Sequence, residues 1–233
     1  MMRGRLVLPT GLTRGAALTA LLVVLATALF LLLQYPLLPD LLPVHFNRAG
    51  QANGWQYRTL PRVMIPVGVQ SMLLVIFGAV AALLLSRPHG DADADAPDVR
   101  AAATAAEAVV VIAAIWITFQ GYAAFALARL WVSPRASLPF YNIVEIACGL
   151  ATIVVAVRAN RSLGRPAPRP FNASHWRLGQ LYKNAEDPAL FVPTRDGRRW
   201  TLNFGRPVAG ALLGVILTLG VLAPTVLVAL AFR

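Results

Sequence analysis

The feature that most constrains this chain is its division into long apolar blocks separated by short segments in which the charges cluster. Of its 233 residues 58% are hydrophobic and only 13% are charged, whereas a soluble domain is about half apolar and a quarter charged. Five blocks approach the roughly 20 apolar residues that a helix needs to cross a bilayer: residues 16–33, 63–85, 108–128, 141–157 and 208–231. The sequence therefore predicts a multi-pass protein, an all-α transmembrane helix bundle of about five spans with a small cytoplasmic β-hairpin segment.

Two of these blocks allow a second interpretation. The block at residues 141–157 is the shortest, so it either crosses fully or forms a shallow or re-entrant segment. The first block follows basic residues, as a signal peptide would, but its small-x-small site at Ala26 and Ala28 lies inside the apolar run. We therefore expect an uncleaved anchor.

The distribution of basic residues predicts the orientation. With the N-terminus in the cytoplasm, 15 of the 21 Lys and Arg residues lie inside and six lie outside. Cytoplasmic loops carry the excess of Lys and Arg in membrane proteins. We predict a protein of the cell (cytoplasmic) membrane with a cytoplasmic N-terminus and an extracytoplasmic C-terminus.

The pattern of blocks and loops predicts four regions. Residues 1–62 hold the first helix and an outer loop module, and residues 63–157 hold helices two to four with an acidic cytoplasmic linker at 86–104. The run DADADAPD in this linker is low-complexity and cannot form a core. Residues 158–207 form a basic cytoplasmic helix–hairpin module, called the basic module below, and residues 208–233 hold the fifth helix.

Several classes of function find no support in the sequence. The single cysteine, Cys148, lies in an apolar block, and the three histidines stand in separate loops without metal-ligand spacing. The sequence has no nucleophile–base pair, no paired carboxylates within the membrane and no phosphate-binding glycine loop. We expect no catalytic site, no metal and no cofactor. The net charge of +11 indicates the lipid bilayer as partner rather than nucleic acid, because the basic residues flank the apolar blocks.

The outer loop at residues 34–62 is too apolar for a plain linker. Prolines 36, 39 and 43 prevent the first helix from continuing. Residues 44–47 suit a short strand, and residues 47–50 and Asn53-Gly54 are turn signals. The candidate residues for outer recognition are Asp40, His45, Asn47 and Trp55. The alternative is that these side chains serve packing and turn hydrogen bonds alone.

A spaced set of residues runs through this loop: YPLLPD at positions 35–40, then Pro43, His45, Phe46, Asn47, Gly50 and Trp55. The set resembles the N-terminal module of SdpI-type membrane proteins, a family of unknown function placed after a first transmembrane helix. The SdpI-type family includes the immunity protein against the sporulation-delaying killing peptide, which also signals by holding a cytosolic repressor at the membrane. The resemblance implies an outer contact with a peptide toxin or envelope signal and an inner contact with a cytosolic regulator.

The basic module carries the second candidate site. Asn172 or Ser174 could cap a short helix through Tyr182, and residues 190–194 and 199–204 suit two strands around the Asp196-Gly197 turn. The candidate docking residues are Trp176, Tyr182, Arg198, Arg199, Trp200 and Asn203. Either a cytosolic partner binds here or the module is a cap on the membrane surface.

The same stretch resembles a second uncharacterised family that often accompanies the first module. The residues that carry this resemblance are Trp176, Gly179, Tyr182, Asn184, Asp187-Pro188, Phe191-Val192, Gly197 and the run WTLNF at 200–204.

Polar residues within apolar blocks are costly and mark candidate functional positions. These are Gln70, Gln120 and Glu145; the last could pair with Arg129 or Arg135, or gain from the helix dipole. Gly210 and Gly214 form a GxxxG pair, which leaves a homo-oligomer open. The leading interpretation is an SdpI-like immunity or signal-sensing protein, and the alternative is a subunit of a transport or envelope-maintenance complex.

Overall fold

The computed structural model describes residues 7–47, 52–86, 97–133, 140–163, 171–197 and 199–217. Its helices are α1 (Gly11–Gln34), α2 (Leu60–Val63), α3 (Ile65–Leu85), α4 (Pro97–Val132), α5 (Tyr141–Leu163) and α6 (Pro207–Leu217). Its strands are β1 (Leu41–Phe46), β2 (Ala52–Tyr57), β3 (Trp176–Arg177), β4 (Leu181–Tyr182), β5 (Phe191–Pro193) and β6 (Trp200–Leu202). The strands form three antiparallel pairs: β1 with β2, β3 with β4, and β5 with β6.

Four of the helices, α1, α3, α4 and α5, are long and apolar enough to cross a membrane. Within hydrocarbon a helix satisfies its own backbone polar groups, so apolar blocks of this length fold as helices. The predicted class, a helical membrane bundle with a small β segment, is confirmed, and the chain is an integral membrane protein. The fifth predicted span begins with α6, but residues 218–231 lie outside the described part of the chain.

Helix α5 contains the whole of the fourth apolar block. It runs for 23 residues, six beyond the apolar block itself, and is long enough to cross. Its last turns carry Arg158 and Arg161, which suit the negative end of the helix dipole.

Helix α4 begins earlier than the sequence indicated. It starts at Pro97 and continues for 36 residues, so the end of the segment predicted as a linker, residues 97–104, is helical. The physical reason is local: proline suits the first position of a helix, and the alanine-rich stretch that follows has high helix propensity. The acidic residues 91–96 lie outside the described residues.

The chain forms two compact units, one of residues 1–13, 78–109 and 157–233, the other of residues 14–77 and 110–156. In the second unit α1 packs on α4 in a cluster of alanines and two branched side chains: Ala20, Val24, Ala113, Ala114 and Ile117. Small residues allow close approach of helices, which drives their association in lipid.

A buried amide joins three helices of this second unit. Gln70 of α3 is 0% exposed, and its Nε2 donates to Thr27 Oγ1 of α1 at 3.2 Å and to the Ile117 carbonyl of α4 at 2.9 Å. Gly121 lies beside this contact: a Cβ there would stand 3.1 Å from Thr27 Oγ1 and 3.3 Å from Gln70 Nε2. A glycine on α4 therefore makes room for the polar contact.

In the other unit the basic module differs from the sequence-based expectation in one element. Asn172 does cap a turn, since its Oδ1 accepts from the Ser174 backbone N–H at 3.1 Å. The turn is a single 3₁₀ turn at Ala173–His175, however, and not a helix through Tyr182. Residues 176–182 instead form the β3–β4 hairpin, because Gly179 takes a left-handed φ of 73° that ends any helix. The β5–β6 hairpin around Asp196-Gly197 is confirmed.

The close approach at Gly121 generates a stability prediction. Gly121→Leu should push α1 from α4 and lower stability by about 1–3 kcal/mol, the usual effect of overpacking. The measurement is the thermal unfolding midpoint of the purified protein in detergent.

Gly149→Leu is the matched control, because a Cβ at Gly149 of α5 meets nothing within 4 Å. Equal midpoints for the two variants would show that the packing at Gly121 does not limit stability.

Candidate functional site

The candidate site is the β1–β2 hairpin that leaves the end of α1. Helix α1 stops at Gln34, as the prolines that follow it predicted, and Pro36 lies in a 3₁₀ turn at Tyr35–Leu37. In the antiparallel register Leu41 lies opposite Tyr57, and Pro43 lies opposite Trp55.

The turn predicted at Asn53-Gly54 is wrong, because both residues lie in strand β2. Gly54 lies opposite His45, and a Cβ on Gly54 would stand 2.9 Å from the His45 Cβ. Close contact between strands, rather than a turn, is what requires a glycine at this position.

The root of the hairpin is fixed in an apolar core. Leu38 and Leu42 are buried together with Leu31 of α1, Val63 of α2 and Trp131 of α4. Burial of these side chains on several helices ties the base of the hairpin to the helices of its own unit.

Arg58 closes the root with polar contacts. Its Nη1 donates to the Tyr35 carbonyl and to the Leu38 carbonyl, each at 2.7 Å. Its Nη2 lies 3.1 Å from Asp40 Oδ1, its backbone N–H donates to the Asp40 carbonyl, and its guanidinium lies 5.0 Å from the centre of the Tyr35 ring. One side chain thus bonds two backbone carbonyls of the segment that follows α1.

One face of the hairpin stays exposed beyond this root. Trp55 is 54% exposed, and Leu41 and Tyr57 are exposed on the same pair of strands. His45 is also exposed, and its Nδ1 lies 2.6 Å from Asn53 Oδ1. A fixed root with an exposed aromatic face is an arrangement that can contact a ligand without reordering.

Residues 22–69 match a domain of unknown function, DUF1648. The DUF1648 segment takes in the second half of α1, the hairpin with its Arg58 contacts, α2 and the start of α3. The domain is uncharacterised and is frequently seen in membrane proteins. No curated protein and no solved structure matches the chain.

The four outer candidates lie in or beside the DUF1648 hairpin, but in different roles. His45 and Trp55 belong to its exposed part, and Asn47 follows β1 and is exposed as well. Asp40 lies at the root, in contact with Arg58. Arg58 itself was missed by the sequence reasoning, because no local motif marks an arginine whose partners lie 18 to 23 residues earlier.

The three intramembrane candidates do not come together into one site. Gln70 forms the three-helix contact, and its Oε1 has no hydrogen-bond partner among the described residues. Gln120 of α4 is half-buried, and Glu145 of α5 is exposed. In the described part of the chain Glu145 forms no ion pair with Arg129, and Arg135 lies outside that part.

In the basic module, Asn203 is a buried structural centre. It is 0% exposed, and its Nδ2 donates to three carbonyls, those of Asn184, Asp187 and Ala189, at 2.8 to 3.2 Å. Its Oδ1 accepts from the backbone N–H groups of Asn184 and Gly205. Expected as a docking residue, Asn203 is thus enclosed by the loop that it organises and is not accessible to a partner.

The other docking candidates lie nearer the surface of the module. Trp176 and Tyr182 meet edge to face with 5.4 Å between ring centres, and both are half-buried. Trp200 is half-buried, and its Nε1 donates to the Leu163 carbonyl at the end of α5. Arg199 is exposed, whereas Arg198 lies outside the described residues.

The Arg58 contacts predict a large difference between two substitutions at the hairpin root. Arg58→Met removes two charged hydrogen bonds to carbonyls and should destabilise the hairpin by about 2 kcal/mol or more. Asp40→Asn weakens one exposed ion pair and should cost no more than about 1 kcal/mol. Amide hydrogen exchange of β1 and β2 in detergent would measure both; similar exchange rates in the two variants would contradict this account.

The buried position of Asn203 predicts a second contrast. Asn203→Leu leaves several backbone groups without partners, at about 1–3 kcal/mol for each buried unsatisfied group, so trypsin should cleave the module much faster. Asn172→Ala removes an exposed cap and should cost about 1 kcal/mol. The rates at which trypsin cleaves the two full-length variants, measured at the same trypsin concentration, would show whether Asn203 stabilises the loop.

Proposed function

We propose that this protein is an SdpI-like immunity or signal-sensing protein of the cytoplasmic membrane. The β1–β2 hairpin of the DUF1648 segment, on the extracytoplasmic side, contacts a peptide or another envelope signal. Recognition of this kind needs a shaped surface and no reactive group.

The observation that carries the proposal is the contrast between the root and the face of the hairpin. The root is held by apolar burial around Leu42 and by the contacts of Arg58. The face presents Trp55, Tyr57 and Leu41 in exposed positions. Rigid, exposed aromatic side chains supply contact area at small entropic cost, which is the usual basis of recognition by loops.

Strand β2 also favours a peptide as the ligand. Among the described strands it pairs only with β1, and its residues Asn53, Trp55, Gln56 and Tyr57 are exposed. A free strand edge can accept an extended peptide by main-chain hydrogen bonds, with neighbouring side chains adding selectivity. An apolar or aromatic peptide segment fits this edge and face.

The alternative, a transport subunit, gains little support from the polar residues of the helices. A translocation path needs several polar side chains that line a common route. Gln70 instead bonds to α1 and α4, the arrangement of a contact that holds helices together.

The test is complementation in cells that lack the gene. Deletion cells expressing the wild type, Trp55→Ala, His45→Ala or Asn47→Ala at matched levels would be compared for sensitivity to secreted membrane-active peptides. We expect Trp55→Ala to lose most of the protection while the protein still accumulates and folds, because Trp55 is exposed and its loss removes contact area rather than core.

Phe140→Ala is the control, since Phe140 is another exposed aromatic residue of the same unit, outside the hairpin. Full protection by every hairpin variant wherever the wild type protects would refute the recognition role, and the hairpin would then be a structural cap. A deletion that changes solute uptake instead would favour the transport alternative.

A further inference from the structure

The turn between β3 and β4 carries a leucine that its own module does not explain. Leu178 is 92% exposed and has a φ of 50°, the one positive φ among the described non-glycine residues. A bulky side chain in the left-handed region is disfavoured, and exposure to water brings no compensating burial. Glycine or asparagine would suit this backbone better, so the leucine indicates a contact outside the module.

The residues beside Leu178 form an amphipathic tip. In the hairpin register Trp176 lies opposite Tyr182, and their rings contact each other. The next pair, Arg177 opposite Leu181, is exposed. Arg177, Leu178 and Leu181 together are called the tip below: two apolar side chains at the end of a hairpin, next to a basic one.

The module that carries the tip is rich in basic residues. Residues 158–207 contain ten Lys and Arg but three Asp and Glu. Two of these acids are engaged inside the module: Asp187 accepts from the Tyr182 hydroxyl at 3.1 Å, and Asp196 accepts from the Thr194 hydroxyl at 2.5 Å. In the described part of the module that follows α5, the exposed basic side chains are Arg177, Lys183, Arg195 and Arg199.

The module lies between the end of α5 and the start of α6 along the chain. The Trp200 Nε1 bond to the Leu163 carbonyl, 3.3 Å long, joins β6 to the last residue of α5. Asn203 lies just before α6, which begins at Pro207, and its neighbour Phe204 donates a backbone hydrogen bond to the Tyr182 carbonyl. Leu178 is four residues from Tyr182, a reach of roughly 13 Å for extended chain.

We propose that the tip binds the anionic phospholipid surface of the protein's own membrane. Leu178 and Leu181 enter the boundary between headgroups and acyl chains, and the surrounding Arg and Lys side chains bind lipid phosphates. Apolar side chains combined with basic residues are the usual composition of interfacial membrane contacts. In this setting the exposed leucine gains burial that offsets its backbone conformation.

The dimensions of the tip favour lipid over a protein partner. A stable protein interface buries about 800 Å² on each side around a central apolar core, whereas the tip offers two leucines at the end of a narrow hairpin. A small wedge that is already tethered beside the bilayer needs little further area, because the tether keeps the local concentration of lipid high.

The experiment uses the full chain with a single environment-sensitive fluorophore. The protein carrying Cys148→Ala and Leu178→Cys would be labelled with NBD and reconstituted in nanodiscs of phosphatidylcholine, with or without phosphatidylglycerol and with lipids bearing a doxyl quencher. Glu186→Cys in the same background is the matched control, since Glu186 is an exposed residue of the module outside the tip.

We expect the label at position 178 to be quenched by doxyl lipid when phosphatidylglycerol is present, and quenching to weaken at high salt. The label at position 186 should stay in water in every disc. Adding Arg177→Gln should weaken the lipid contact by roughly fivefold, the effect of removing one basic residue near an anionic surface.

Leu178→Gly separates a lipid contact from a structural role of the leucine. Glycine accepts the positive φ, so this variant should keep or raise the thermal midpoint in neutral detergent. In the wild type we expect trypsin to cleave the module more slowly in anionic nanodiscs than in neutral ones. Leu178→Gly should remove this difference. A lowered midpoint in detergent would mean that Leu178 supports the fold and would overturn the proposal.

Two further results would also overturn it. The first is a label at position 178 as accessible to water as the label at position 186 in phosphatidylglycerol discs. The second is shielding of the label that appears only when cytosolic protein is added, which would assign the tip to a protein partner. Neither outcome bears on the proposed recognition role of the β1–β2 hairpin, because the tip and the DUF1648 segment belong to different units of the chain.

Discussion

The structure depends on the cost of leaving backbone polar groups unsatisfied in hydrocarbon. Each free N–H or C=O there costs several kcal/mol, so the long apolar blocks have to be helices. The same requirement reappears wherever a helix stops, because its last carbonyls lose their partners. Backbone groups of the loops need partners as well, and in each of the two loop modules one side chain supplies several of them.

Arg58 and Asn203 each bond several backbone groups of a loop. Arg58 donates to the carbonyls of Tyr35 and Leu38, just past the end of α1. Asn203 donates to three carbonyls and accepts from two N–H groups, just before α6 begins. In each case one side chain organises a loop at a helix end, and the neighbouring aromatic residues are thereby held at the surface.

Both proposed contact surfaces lie in the loop modules and not in the helices. The described helices carry few polar side chains, and the buried Gln70 joins helices rather than lining a route. The loop modules carry exposed aromatic and basic residues and the strained Leu178. Trp55 on one hairpin and Leu178 on another are apolar side chains kept outside a core, and exposed apolar groups on rigid supports are typical of contact surfaces. One hairpin suits a peptide ligand, and the other suits the bilayer.

The sequence could predict the parts of this structure that depend on local composition. Apolar block length predicted the four described spans, the prolines after Gln34 predicted the end of α1, and Asp196-Gly197 predicted the β5–β6 turn. It failed where a short apolar stretch was ambiguous. The residues from Trp176 to Tyr182 suited a helix by capping, but hairpin pairing and the positive φ at Leu178 and Gly179 prevailed.

By itself, then, the sequence determined that this chain is a helical membrane protein and which loops stand out, because block length and composition act residue by residue. Only the tertiary structure decided what individual polar residues do. Asp40 turned out to be part of the hairpin root, Asn203 became a buried centre, and Arg58 emerged as the residue that closes the root. Their partners lie many positions away along the chain, and a hydrogen bond between distant residues leaves no periodic trace in a single sequence.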